Sequence, residues 1–171
     1  MREIVLDTET TGLDFKSGDR IIEVGCLELI NHVATGKKLQ FYCSTEKKIH
    51  EGAAKIHGLT NSFLRTHPSF KEQSTNFLDF IKNDILIIHN ASFDVGFINN
   101  ELRLIGLNPL KNKIIDTITL AKKNLNTRTA NLDYLCRRFS INLSKRILHG
   151  ALLDCELLAE VYLELIGGKQ I

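Results

Sequence analysis

The chain has 171 residues, of which 43% are hydrophobic and 25% charged, and its net charge is only +2. These proportions are typical of a globular domain with one sizeable core, so we expect a single domain over residues 1–171. No run of 18 or more apolar residues occurs and the N-terminus has no leader pattern, which predicts a cytoplasmic protein. The four cysteines form no CxxC pair, which argues against a zinc site or a disulfide framework and favours small core residues.

The first third of the chain predicts consecutive antiparallel strands. Residues 2–8 and 21–29 are apolar or alternating and rich in β-branched side chains, and residues 38–43 form a shorter third candidate. The segments between them, 11–20 and 31–37, contain the glycine and asparagine that are typical of turns.

The rest of the chain alternates between helical and strand patterns. Ser69 is a candidate N-cap for the first of these helices, and Gly167-Gly168 is a candidate end for the last. This order predicts an α/β fold in which helices pack on a mixed sheet. The predicted helices cover residues 69–83, 92–105, 117–124, 130–139 and 150–166, and the predicted short strands cover residues 85–88 and 114–115.

Basic residues are concentrated in one segment of the chain. Residues 111–146 contain nine lysines and arginines against two aspartates, whereas residues 150–171 are mainly acidic. The basic segment could attract a polyanion such as nucleic acid. A solvated surface of two helices explains it equally well, so both interpretations stay open.

Two acidic side chains are neighbours at the end of the first strand. Because strand side chains alternate between faces, Asp7 and Glu9 share one face with Val5, and the other face carries Ile4 and Leu6. Adjacent carboxylates repel unless a proton or a cation lies between them, and hard oxygen ligands suit Mg²⁺ or Mn²⁺. A strand end in solvent would also tolerate two acids, and the pair alone favours that simpler account.

Two further aspartates begin helical rows that should be buried. The positions i+3, i+4 and i+11 from both Asp94 and Asp154 are apolar. A carboxylate on a buried face is costly unless it is paired, hydrogen-bonded or bound to a metal. Helix N-termini also favour negative charge, which accounts for either aspartate alone but less well for both beside Asp7 and Glu9.

His149 precedes Asp154 by five residues, so on a helix the two side chains would point apart and His149 is expected on the preceding loop. There it could stand beside an attacking water without displacing a metal ligand. A lone histidine before a helix is more often an ordinary loop residue, so this role depends on the carboxylates.

These residues belong to three motifs that resemble those of the DEDDh family of 3′–5′ exonucleases, in order and spacing. Segments 56–60, 144–149 and 157–163 extend the resemblance to the epsilon-type proofreading members that serve bacterial replicative polymerases, over essentially the whole chain. The three motifs are DTETTG at residues 7–12, HNASFD at residues 89–94 and HGALLD at residues 149–154.

The resemblance implies a ribonuclease H-like α/β fold, with a mixed five-stranded sheet flanked by helices, that forms a single 3′–5′ exonuclease domain over residues 1–171. It implies hydrolysis of phosphodiester bonds at DNA 3′ ends to nucleoside monophosphates, as proofreading during replication, with His149 as the general base. It also implies that two divalent cations, Mg²⁺ or Mn²⁺, are held by Asp7, Glu9, Asp94 and Asp154.

The substrate-binding residues implied by the resemblance are Asp7, Glu9, Thr10, Gly12, Gly52, His57 and Asp154. Gly12 could let the backbone approach the terminal sugar, or could simply serve a turn. His57 and the backbone near Gly52 would hold the terminal nucleotide, although His57 could equally be a surface residue. Phe63 could stack on a base, but such a phenylalanine is more often part of a core.

Three neighbouring polar residues are assigned structural roles. Asp116 is most simply a helix N-cap. His89 and Asn90 follow a buried strand, and we interpret them as positioning the loop of Asp94 rather than as ligands.

The implied partners are a single-stranded or frayed DNA 3′ end, the polymerase catalytic subunit and other replicase subunits, with no membrane. Epsilon-type members usually continue into a tail that binds the polymerase and the sliding clamp, whereas this sequence stops at Ile171. Either the sequence is truncated or the tail-dependent partnership is open to question. The alternatives are a DEDDh exonuclease that acts on RNA or in DNA repair without a polymerase, and, in a different class, a non-catalytic module that binds nucleic acid or a polymerase.

Overall fold

The computed structural model describes residues 1–167, so Gly168 of the predicted helix end lies outside the described residues. A five-stranded sheet with the strand order β3-β2-β1-β4-β5 forms the centre of the fold. Its strands are β1 (Arg2–Thr10), β2 (Ile21–Ile30), β3 (Val33–Tyr42), β4 (Ile85–Ile88) and β5 (Ile114–Asp116). The helices are α1 (Glu51–His57), α2 (Asn61–Leu64), α3 (Phe70–Ile81), α4 (Ala91–Leu104), α5 (Thr117–Leu125), α6 (Leu132–Arg138) and α7 (Ala151–Leu165).

Strand β1 is central and pairs in both senses. It is antiparallel to β2, which is antiparallel to β3, and parallel to β4, which is parallel to β5. The predicted mixed five-stranded α/β sheet is therefore confirmed. Within residues 1–167, no helix is long and apolar enough to cross a membrane.

The two faces of β1 contribute to different cores. Ile4 and Leu6 pack in a core with Phe97 of α4, whereas Val5 packs in a core with Leu158 of α7. The alternation predicted for β1 is thus confirmed. Asp7 and Glu9 follow Val5 at two-residue spacing, so they lie on the α7 side of the sheet.

Most element boundaries agree with the sequence patterns. Helices α3 to α7 begin and end within two residues of their predicted bounds, and the Ser69 hydroxyl caps α3 by accepting from the backbone N–H of Glu72. The four cysteines are buried free thiols, as predicted for core residues.

The prediction for β3 was wrong at its start. Strand β3 begins at Val33 instead of residue 38, because the turn after β2 is only Asn31-His32, and both of these residues have positive φ. The first half of β3 is an exposed edge, so its side chains lack the apolar alternation that marks a strand. Helices α1 and α2 were not predicted, because each is only one or two turns long.

The N-terminus of α7 lies directly against β2. A Cβ atom added at Gly25 would come within 2.7 Å of the carbonyl carbon of Ala151, so only glycine permits this approach. Beside it, the backbone N–H of Ala151 donates to the Glu23 carboxylate at 3.1 Å. Strand β2 therefore fixes where α7 begins, and with it the position of Asp154 one turn later.

We expect Gly25→Ala to lower the free energy of unfolding by about 1–3 kcal/mol, because the new methyl group meets backbone that cannot move without displacing α7. Urea denaturation followed by circular dichroism measures this change. Gly52→Ala is the matched control, since no atom lies within 4 Å of its added Cβ and alanine favours a helix. Equal stabilities of Gly25→Ala and wild type would show that α7 is not held this closely.

Candidate active site

A cavity of about 410 Å³ opens where β1 and β4 end. It is the point at which the sheet and the start of α7 meet, and its walls come from segments far apart in the sequence. The structure places all five predicted catalytic positions around it, namely Asp7, Glu9, Asp94, His149 and Asp154.

Asp7 lies at the centre of the acidic cluster. Its Oδ2 atom is shielded from solvent and has no hydrogen-bond partner among residues 1–167. Burial, followed by repulsion from Asp94 and Glu9, raises the pKa of Asp7 well above its ordinary value. A carboxylate in this state lacks a positive partner.

Glu9 shares this electrostatic environment. The pKa of Glu9 is raised to about 9, mainly by burial and next by repulsion from Asp154, with smaller contributions from other neighbours. One ligand atom each from Glu9, His149 and Asp154 lies within 4.8 Å of the others, which is close enough for a shared cation. The geometry therefore brings the strand β1 pair next to the start of α7.

Asp94 reaches the cavity from the opposite layer of helices. It is 3% exposed, and its Oδ1 accepts a hydrogen bond from the Thr8 hydroxyl. Burial nevertheless raises the pKa of Asp94 to about 7, because the bond from Thr8 offsets only part of the desolvation. The predicted location of Asp94 on a buried helical face is confirmed.

The loop before Asp94 is held by Asp116. The backbone N–H groups of Asn90 and Ala91 both donate to the Asp116 carboxylate at 3.1 Å. Asp116 also caps α5 through the N–H of Ile118, as predicted, and His89 Nδ1 bonds to the Thr117 hydroxyl. These contacts agree with a positioning role for His89 and Asn90.

Asp154 has an internal cation as its partner. Arg146 binds both of its carboxylate oxygens, at 2.7 and 3.0 Å, and also contacts Asp133 of α6. The arginine side chain is only 8% exposed. In the sequence, Arg146 is one of the nine bases of the basic segment and lies within segment 144–149 of the resemblance, and neither feature predicts its contact with Asp154.

His149 lies on the loop before α7, as predicted. Its backbone N–H donates to the carbonyl of Ile56 at 2.9 Å, and its Nδ1 lies 3.2 Å from Nη2 of Arg146. Burial, with the nearby guanidinium, lowers the pKa of His149. The imidazole is therefore neutral near pH 7, the form that can accept a proton.

A second cavity of about 560 Å³ adjoins the acidic one, since Thr8, Glu9 and Phe93 line both. Its walls are largely apolar, and their size suits a nucleoside. The remaining predicted substrate-binding positions, Thr10, Gly12, Gly52 and His57, all line this second cavity.

Close contacts fix the backbone in one wall of this second cavity. The Thr10 hydroxyl donates to the carbonyl of Gly12 at 2.6 Å. A Cβ atom at Gly12 would lie 2.3 Å from the His50 ring and 2.4 Å from the Asp19 carboxylate, so packing requires glycine there. At Gly52 the space is open, which leaves a smooth wall on α1.

His57 is buried rather than on the surface. Its Nε2 donates to the carbonyl of Thr10 at 3.1 Å, and its Nδ1 accepts from the N–H of Leu59 at 3.0 Å. Both ring nitrogens are therefore engaged with backbone, and only the ring faces the cavity. Phe63 is not a core residue: it is 47% exposed and packs against Tyr42 and His67.

The residues present fit divalent cations. Hard carboxylate oxygens converge, and the Oδ2 atom of Asp7 has no hydrogen-bond partner among residues 1–167. Burial is the main cause that raises the pKa values of Glu9 and Asp94. A single arginine neutralises only part of this cluster.

Glu23 and Thr8 escaped the sequence interpretation. Glu23 is the Cα partner of Glu9 in the sheet and holds the start of α7, while Thr8 holds Asp94. A signal existed for Glu23, because a charged residue inside the apolar strand IIEVG requires a buried partner. Thr8 lies in the DTETTG motif and Arg146 in segment 144–149, but no local pattern predicts the contacts that these two side chains make.

A family profile described as "Exonuclease" matches residues 4–162. The chain belongs to this exonuclease family. Over 174 residues it is 47% identical to the DNA polymerase III subunit epsilon of Rickettsia felis, covering 99% of this chain and 76% of the relative. The DNA polymerase III subunit epsilon of Haemophilus influenzae is 45% identical, and the alignment covers 98% of this chain and 68% of that relative.

Solved exonucleases share the fold. The nuclease domain of 3′hExo, a DEDDh family member bound to rAMP, superposes with a TM-score of 0.83 at 16% identity, over 96% of this chain and 91% of that one. Exonuclease X in complex with 5′ overhanging duplex DNA gives a TM-score of 0.75 at 21% identity, over 96% of this chain and 90% of that one. The predictions of a ribonuclease H-like fold and of an exonuclease enzyme of the DEDDh, epsilon-like type are confirmed.

The raised carboxyl pKa values predict how stability depends on pH in the absence of metal. Above about pH 4 the unfolded chain has lost protons that folded Asp94 and Glu9 keep up to about pH 7 and 9, so the folded state binds more protons. This contribution to stability is therefore fully present below about pH 4 and declines from there as the pH rises to about 7 for Asp94 and about 9 for Glu9, by up to about 1.4 kcal/mol per pH unit for each retained proton.

Thermal melts in EDTA between pH 5 and 9 measure this decline. Asp94→Asn cannot titrate, so its slope between pH 5 and 7 is expected to be shallower than that of the wild type. Saturating Mn²⁺ is expected to flatten the wild-type profile, because a cation stabilises the ionised carboxylates. A melting temperature that rises with pH in EDTA would contradict the protonated cluster.

Proposed function

We propose that this protein removes nucleotides from DNA 3′ ends as a proofreading exonuclease during replication, releasing nucleoside monophosphates. The observation that carries the proposal is the convergence of four carboxylates and one neutral histidine beside a nucleoside-sized cavity. Relatives named DNA polymerase III subunit epsilon, aligned over nearly the whole chain, support the replicative role.

The ligands of the proposed two-cation site are Asp7, Glu9, Asp94 and Asp154, with Mg²⁺ or Mn²⁺ as the cations. When bound, such cations activate the attacking water and stabilise the leaving 3′-oxygen of a phosphodiester. The contribution of the chain is to hold the oxygens in place. The shielded Oδ2 of Asp7, which has no hydrogen-bond partner among residues 1–167, would be available to a bound cation.

His149 acts as the general base in this proposal. Its lowered pKa keeps the ring neutral, and its loop position leaves it at the edge of the acidic cavity. The neutral ring is therefore able to take a proton from the attacking water.

The second cavity holds the terminal nucleotide. Its apolar wall accepts any base, and the open space at Gly52 lets the backbone of α1 come close to the sugar. Gly12 lies in the same wall. His57 contributes its ring face, because both of its nitrogens are bound to backbone.

The proposed partners are a single-stranded or frayed DNA 3′ end, the polymerase catalytic subunit and other replicase subunits. Residues 1–171 act as one exonuclease domain, and a cytoplasmic location accompanies the replicative role.

We expect the wild type to degrade 3′-labelled single-stranded DNA with Mg²⁺ or Mn²⁺, and EDTA to stop it. Asp7→Asn removes a central ligand and is expected to lower the rate by about 10³-fold or more, since cation stabilisation of the transition state is worth several kcal/mol. The matched control is Asp79→Asn, an exposed aspartate on α3, which is expected to retain the wild-type rate.

The same assay with RNA and with matched and mismatched duplexes tests the substrate class. Faster removal of mismatched DNA ends supports proofreading, whereas preference for RNA would replace this proposal with an RNA exonuclease. Nucleic-acid binding without cleavage in any metal would identify a non-catalytic module.

His149→Ala is expected to lower the rate by about 10²- to 10⁴-fold and to remove the acid limb of the rate against pH. In the wild type this limb should lie below about pH 6.5, because the pKa of His149 is lowered. Initial rates between pH 5 and 9 measure both effects. An acid limb that survives in His149→Ala would assign the proton transfer to another group.

A further inference from the structure

Arg146 is the one lysine or arginine that lines the acidic cavity within residues 1–167. It lies on the loop between α6 and α7, three residues before His149 and eight before Asp154. Because Arg146 lies among the proposed metal ligands, a contribution to surface charge does not explain its position.

The guanidinium binds Asp154 as a fork. Nε donates to Oδ1 at 2.7 Å and Nη2 donates to Oδ2 at 3.0 Å, so both carboxylate oxygens accept from one side chain. Both partners are buried, with 8% and 7% of their side chains exposed. Bidentate charge-assisted pairing of this kind is the strongest that arginine makes with a carboxylate.

The same guanidinium also forms a hydrogen bond with His149. Nη2 lies 3.2 Å from Nδ1 of the imidazole, and because arginine has no acceptor, Nδ1 must be the acceptor. The proton of the neutral ring is then on Nε2. While this contact persists, neither ring nitrogen is free to take a proton from water.

Arg146 has another partner when it leaves Asp154. Nη1 donates to Asp133 of α6, whose side chain is 45% exposed and lies at the rim of the cavity. The guanidinium can therefore turn toward solvent without becoming a buried lone charge. Its backbone is held by a single turn contact to the carbonyl of Leu143, outside any helix or strand.

We propose that Arg146 is a resident cation that takes the place of a divalent cation at Asp154 and withholds His149 until metal binds. The guanidinium fork and a metal ion are then alternative partners of the same carboxylate, since two positive groups at one site repel. In the metal-free enzyme this one side chain holds Asp154 and His149 in the inactive arrangement. The link to activity rests on the proposed nuclease function, whereas the competition for Asp154 does not.

Thermal melts in EDTA and in saturating Mn²⁺ test this competition. In EDTA, Arg146→Met is expected to melt about 5–10 °C below the wild type, because Asp154 loses its only cationic partner in the described chain. In Mn²⁺ the gap is expected to shrink to about half or less, and half-saturation to occur at a several-fold lower Mn²⁺ concentration. Arg146→Lys keeps the charge but loses the fork, so its melting temperature in EDTA is expected to lie between those of the wild type and Arg146→Met.

Arg137→Met is the matched control for these melts, because Arg137 is exposed on α6 and is expected to leave both melting temperatures unchanged. If the melting temperatures of the wild type and Arg146→Met differ by the same amount in EDTA and in Mn²⁺, Arg146 binds Asp154 whether or not metal is present, and the proposal is overturned. A weaker Mn²⁺ response in Arg146→Met than in the wild type would show that the arginine assists metal binding. Equal melting temperatures of the two proteins in EDTA would show that the fork does not form. Either result also overturns the proposal.

A measurement on the wild type covers the case in which the variants fail to fold. The arginine Nε–H signal of Arg146, observed by nitrogen-15 NMR, is expected to be protected from exchange in EDTA and to shift and lose protection on addition of Mg²⁺. An unchanged signal would refute the exchange of partners. Neither readout uses cleavage, so failure of this proposal and failure of the nuclease proposal are distinguishable.

Discussion

Repulsion among buried carboxylates is the constraint on which the rest of this structure depends. Asp7, Glu9 and Asp94 have raised pKa values, so without added cations the fold keeps them together partly by holding protons. Arg146 neutralises only Asp154 and the half-exposed Asp133. The two apolar cores on either side of β1 must supply the free energy that this arrangement costs.

The scaffold resists this repulsion because the four acids arrive on three different elements, β1, α4 and α7, and the start of each helix is fixed by its own polar or steric contact. The start of α4 is held by two backbone bonds to Asp116, and the start of α7 is held by Glu23 and by the close approach at Gly25. Strand β1, at the centre of the sheet, provides the pair that the other two acids meet. Geometry set in this way is suited to ligands that must be preorganised.

Much of the fold and of the candidate site could be predicted from the sequence. The alternation in β1 assigned Asp7 and Glu9 to one face, and the helical rows that begin at Asp94 and Asp154 indicated buried carboxylates. These features are local, because a face is determined by neighbours two to four residues away.

The rest depends on contacts between distant segments, which no local pattern encodes. Glu23 meets Ala151 across 128 residues, and the Thr8 hydroxyl meets Asp94 across 86 residues. Likewise, the position of Arg146 beside Asp154 depends on the path of a loop rather than on its spacing in the chain. The exposed half of β3 was missed because an edge strand is specified by pairing and not by an apolar face.

Anomalous scattering at the manganese edge, from crystals soaked in Mn²⁺, tests the convergence of the four acids on shared cations most directly. The account predicts two strong peaks, close together and bounded by the carboxylates of Asp7, Glu9, Asp94 and Asp154. Absence of any peak among these side chains in a folded, Mn²⁺-saturated crystal would contradict it.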